Sequence, residues 1–128
     1  MAEQKKEVVS GETIIGDDVV ASIAGMAARE VEGVAGLGKS AVRRALAEHL
    51  AGAGERARVG VEVEVGKMEA IVDLDLIVVY GFNIPSVITE VRTKVAARLM
   101  EIAGLIAKEI NVHIVGIEIP EKKEDKVK

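Results

Sequence analysis

The sequence predicts an α+β fold: two main helices packed on one face of an antiparallel or mixed sheet of about four strands, plus a short extra helix. Three observations predict it. Two segments repeat apolar residues at helical spacing, centred on Ala24 and Val91. A middle stretch alternates apolar and polar residues in two runs separated by a glycine turn. A third alternating run follows Glu109. Each helix has one apolar stripe and the hairpin has one apolar face. Both helices then cover the same sheet face, and the other face is left open to water or a partner.

Residues 1–11 are polar and read as a flexible N-terminus, and Glu12–Ile15 fits a short strand. Asp17 and Asp18 offer an N-cap and an acidic first turn. Val20, Ile23, Ala24, Ala27 and Val31 follow at helical spacing, so the first helix covers about 17–32 and stops at Gly33. Residues 33–40 read as a glycine-rich connection. Residues 41–51 read as a short amphipathic helix that ends at Gly52 and Gly54.

The clearest strands come next. Val59, Val61, Val63 and Val65 alternate with Gly60, Glu62 and Glu64. After Gly66 and Lys67, the residues Ala70, Val72, Leu74, Leu76 and Val78 share one face. A two-residue turn at Gly66-Lys67 pairs Val63 with Ala70 and Val61 with Val72, so inward residues meet inward residues. Asn83 and Pro85 then start a helix, as cap and first-turn residue. Its stripe is Val87, Ile88, Val91, Val95, Leu99 and Ile102, and Gly104 ends it. The last strand spans about 109–119, with Ile110, Val112 and Ile114 inward. Residues 12–119 thus make a single α+β domain, and 120–128 a charged flexible tail.

Composition narrows the function. The chain has 128 residues, which suits one domain, and its core is aliphatic, with one Tyr, one Phe and no Trp. No cysteine is present, which removes disulfides, thiol catalysis and thiolate metal sites. The net charge of −4 provides no overall basic footprint for DNA or RNA. No run approaches a membrane span, and the N-terminus lacks the apolar stretch of a signal peptide, so the protein reads as cytoplasmic.

Several strings suggest chemistry. Gly33-Val34-Ala35-Gly36-Leu37-Gly38-Lys39-Ser40 fits the phosphate-binding P-loop pattern, but it follows an amphipathic helix where a P-loop follows a buried strand. It therefore reads as a plain connection, with a nucleotide-binding protein using residues 33–40 as the alternative. Glu62, Glu64, Glu69, Asp73 and Asp75 fall on the open sheet face, where a flat solvated surface favours an interface over metal or acid–base chemistry. His113 points outward beside Asn111, and His49 sits on the short helix, without ligand spacing. Arg29, Arg92, Lys94 and Arg98 fall on the polar sides of the main helices, and Lys39, Arg43 and Arg44 cluster near the short helix. A small RNA-binding module is the alternative that would use such charges. No catalytic, cofactor-binding or metal residue is assigned.

The stretch Ile23-Ala24, then Ala27 to Gly36, resembles the first signature of the alkaline shock protein family of bacterial envelope-stress proteins. The second signature is similar to Val79-Tyr80-Gly81-Phe82-Asn83-Ile84, the helix at 85–103, and Gly104-Leu105 leading to Ile110-Asn111-Val112-His113-Ile114. Together they cover most of 12–117, while the short helix and its basic cluster lie outside the pattern. The resemblance implies a non-enzymatic cytoplasmic protein, without cofactors, that self-associates as a homo-oligomer or filament. It also implies a peripheral place at the inner face of the cell membrane, through a membrane-anchored partner. The interface candidates are Glu62, Glu64, Asp73 and Asp75 on the sheet face and Arg29, Arg92 and Arg98 on the helical side. Tyr80 and Phe82 are candidates for apolar contact.

Overall fold

The computed structural model describes residues 9–38 and 59–120. The elements are α1 (Asp17–Arg29), β1 (Val34–Leu37), β2 (Val61–Val65), β3 (Glu69–Val79), α2 (Ile84–Arg98) and β4 (Ile106–Glu118). A π-helical turn, Leu99–Ala103, continues α2. The expected short helix at 41–51, the cluster Lys39, Arg43 and Arg44, and residues 121–128 lie outside the described residues.

β3 is the spine of the sheet. β4 runs parallel to it along its full length, from Glu69 opposite Ile106 to Val79 opposite Glu118. A parallel neighbour needs a crossover connection, and α2 provides it. The other edge of β3 is shared. β2 runs antiparallel to its first half and β1 antiparallel to its last residues. At the handover the Gly38 N–H donates to the Asp75 carbonyl at 3.0 Å, and the Asp75 N–H donates to the Gly60 carbonyl at 2.9 Å. The sheet is therefore mixed, and both helices lie on one face of it.

One aliphatic cluster holds the layers together. α1 contributes Val20, Ala24, Ala27 and Ala28, and α2 contributes Val87, Val91 and Val95. The sheet contributes Leu37, Ala70, Val72, Leu74, Leu76 and Val78. The alanines of α1 leave room for α2, and α1 packs against both α2 and β2.

The structure corrects five expectations. Residues 12–15 form no strand, since β1, β2 and β4 occupy both edges of β3; Ile15 alone turns toward the core. The N-cap of α1 is Gly16, without a side-chain bond, and Asp17 and Asp18 occupy the first turn, where they face the positive helix end. The glycine-rich connection contains strand β1. The hairpin pairs Val65 with Ala70 and Val63 with Val72, two residues from the expected register. The turn is centred on Lys67-Met68, closed by the Gly66 N–H on the Glu69 carbonyl at 2.8 Å. A slip of two leaves every side chain on its own face, so alternation cannot detect it. Finally, Ile102 is 62% exposed. The π turn widens the helix after Leu99, carries Ile102 off the stripe, and lets Leu105 enter the core instead.

Asn83 caps α2 as expected: its Oδ1 accepts the Ser86 N–H at 2.9 Å. Asn83→Ala leaves a first-turn N–H without that acceptor. A loss of about 0.5–2 kcal/mol is expected in denaturant unfolding, and Asn83→Asp is expected to keep most of it, since its carboxylate also caps.

Candidate functional site

The sheet face opposite the helices is built in rows, because residues in register on adjacent strands stand side by side. The first row is Glu64, Ile71 and Glu109, and the second is Glu62, Asp73 and Asn111. Asp75 and His113 follow, and the last row is Gly36, Ile77 and Gly116. Three strands thus converge on one acidic surface. Asn111 Nδ2 donates to Asp73 Oδ1 at 2.8 Å, and His113 Nδ1 lies 3.8 Å from Asp75 Oδ1. Glu62 and Glu64 are exposed, whereas Ile71, Asp73 and Asp75 are half-buried. The face is open at its Glu62–Glu64 end but not at the other, where Ile77 is 2% exposed.

Of the interface candidates, Glu62, Glu64, Asp73 and Asp75 come together here. The others do not. Arg29, Arg92 and Arg98 are on the helical side, whose charge is mixed. Arg98 Nη2 pairs with Glu30 Oε1 at 2.9 Å, and Arg98 Nη1 with Glu101 Oε1 at 3.4 Å. Lys94 also reaches Glu30, at 4.0 Å. Arg92 Nε donates to the Ile110 carbonyl at 3.0 Å. With Glu30, Glu32, Glu90 and Glu101 among these cations, the described helical side is no basic platform. Tyr80 and Phe82 are exposed beyond the end of β3, and Phe82 leans toward Gly33 and Val87, away from the acidic rows.

Asn111 and His113 were visible in the sequence as outward residues, but not as neighbours of Asp73 and Asp75. The parallel β3–β4 pairing makes that match, and alternation within one strand carries no signal for it.

The P-loop look-alike has its backbone committed elsewhere. Gly36 and Leu37 pair with Ile77 and Leu76. The Gly38 N–H is bonded to Asp75, and the Gly33 carbonyl accepts the Val79 N–H at 2.9 Å. Amides spent on a sheet ladder cannot wrap a phosphate. The roomiest hollow among the described residues, about 900 Å³, is a groove between 11–17, the turn at 65–68 and the stretch 103–105. Its charged lining is Glu12, Asp17 and Lys67, and the rest is mostly apolar. Among the described residues, no three His, Asp or Glu side chains are grouped to hold a metal ion. No helix of the described residues is long and apolar enough to cross a membrane.

Residues 5–119 match the sequence profile of the alkaline shock protein family, described as having a cell envelope-related function. The Gls24 homologue of Streptococcus pyogenes, a stress response regulator by name, is 30% identical over 116 residues. That alignment covers 91% of this chain and 64% of the relative, so the chain spans just under two thirds of that protein's length. Two Bacillus subtilis proteins of uncharacterised function are also 30% identical: YqhY, over 90% of this chain and 83% of its own length, and YloU, over 85% and 90%. No solved structure matches the chain.

Proposed function

Because the chain belongs to the alkaline shock protein family, whose function is related to the cell envelope, we propose that it is a non-enzymatic, cytoplasmic protein of the envelope stress response that works by protein contact. It self-associates, and a membrane-anchored partner gathers the assemblies at the inner face of the membrane. The observation that carries this reading is the acidic sheet face. Glu62, Glu64, Asp73, Asp75 and Glu109 present one sign of charge around Ile71, on a surface without a pocket for a substrate. Such a surface suits a basic protein partner: charge guides the encounter, and the apolar centre contributes to holding it.

Sedimentation velocity at low and high salt tests the reading. The wild type is expected to form oligomers larger than a dimer at low salt, and to lose them as salt screens the exposed charges. Glu62→Lys with Glu64→Lys is expected to remove the larger oligomers while the chain stays folded, since both side chains are exposed. A wild type that remains monomeric at high concentration and low salt refutes self-association, and oligomers unchanged by the double reversal refute the acidic face.

A further inference from the structure

The second edge of β4 has no strand partner among the described residues, because its first edge is taken by β3 along its whole length. At the two ends of the ladder, the Ile106 N–H donates to the Met68 carbonyl, and the Glu118 carbonyl accepts the Tyr80 N–H, both at 2.8 Å. Ile106 and Glu118 therefore aim their main chain at β3. Successive strand residues address opposite edges, and one extra residue enters β4 at each register shift, after Ala70 and after Leu76. Counting inward from both ends, Glu109, Asn111 and His113 also bond to β3, while Ile110, Val112 and Ile114 address the far edge. The bond from Arg92 to the Ile110 carbonyl agrees with that assignment.

The far edge thus combines free main-chain groups with three aliphatic side chains. Ile110, Val112 and Ile114 lie on the helical face of the sheet and are only half-buried. The two bulges bound this regular stretch on either side. Its sequence, Ile110-Asn111-Val112-His113-Ile114, alternates the same way in both directions about Val112.

We infer that this edge pairs with the same edge of a second copy, antiparallel about a two-fold axis at Val112. Ile110 then faces Ile114 of the second copy, and Val112 faces its own counterpart, each pair exchanging main-chain hydrogen bonds. On the outer face Asn111 meets His113, so no like charges are opposed. The pairing covers the exposed parts of the aliphatic row and turns two sheets into one. Arg92, now on the Ile110 carbonyl, competes with the incoming strand, which is how a guarded edge behaves. The proposal rests on the self-association reading and gives it a second surface, separate from the acidic rows.

The chain has no native cysteine, so a single thiol reports the contact. In the paired edge the two Val112 Cα atoms stand about 5.5 Å apart, within disulfide reach. Under mild oxidation Val112→Cys is expected to form a covalent dimer at least about tenfold faster than Thr93→Cys, an exposed site on α2. Val112→Pro, which removes one outward N–H without touching the β3 ladder, is expected to lose the non-covalent dimer. Glu62→Lys with Glu64→Lys is expected to leave the Val112→Cys cross-link intact. A wild type that stays monomeric removes both the self-association reading and this pairing. A wild type that oligomerises while Val112→Cys cross-links no faster than Thr93→Cys overturns the pairing alone.

Discussion

Leu99→Ala is expected to be the most damaging of the single core truncations, costing about 2–5 kcal/mol. Leu99 is 0% exposed and is the first residue of the π turn. It continues the row of Val87, Val91 and Val95 down α2, and its carbonyl accepts the Leu105 N–H at 3.2 Å. The side chain therefore lies where the helix leaves its regular course and where Leu105 re-enters the core. The neighbourhood is aliphatic and lacks large aromatic rings that could swing into the space, so most of the cavity stays open. A void of that kind forfeits the packing of its whole lining in addition to the transfer energy of the lost atoms. Chemical denaturation, with the slope checked against the wild type, measures the loss. A change below about 1 kcal/mol would mean the site collapses around the smaller side chain. Ile102→Ala, three residues on and exposed, provides the contrast, with an expected change within about 0.5 kcal/mol.

Gly60→Ala is expected to cost nearly as much for a different reason. Gly60 has φ +79, and a Cβ there would lie 2.5 Å from the Gly38 nitrogen and 2.9 Å from the Leu37 Cβ. The first neighbour is backbone, held by its bond to Asp75 at the handover from β1 to β2. It cannot move aside as a side chain would. The left-handed conformation costs an L-residue about 1–2 kcal/mol, and the overpacking adds about 1–3 kcal/mol. Urea unfolding checks the sum, and amide exchange at Gly38 and Asp75 shows whether the handover opens first. Gly116→Ala is the control: the added methyl would meet Ile77 Cγ1 at an ordinary 3.4 Å, so the change is expected to be neutral or stabilising by up to about 1 kcal/mol.

Family membership also entered through residues rather than through chemistry. The two signatures, Ile23 to Gly36 and Val79 to Ile114, span the profile match over 5–119. They also explain why a P-loop pattern occurs in a chain whose glycines serve a strand and two tight junctions.

Local periodicity by itself determined the elements that bury one face over a long run. The stripe from Val87 to Leu99, the cap at Asn83 and the alternation from Ala70 to Val78 follow from repeats that water enforces residue by residue. The split between an acidic outer face and an aliphatic inner face follows from the same alternation. Only the tertiary structure decided which strands are neighbours. β1 is four residues long, holds a glycine, and is stable as a strand because β3 offers it an edge. The register of β2 could slip by two without exposing a single apolar side chain, so turn closure at Gly66 and Glu69 had to fix it. The meeting of Asp73 with Asn111, 38 positions apart, depends on α2 returning the chain parallel to β3. Side-chain burial acts along one segment and is written there. Strand pairing is a contest between main chains that are chemically alike, and the packing of the whole sheet settles it.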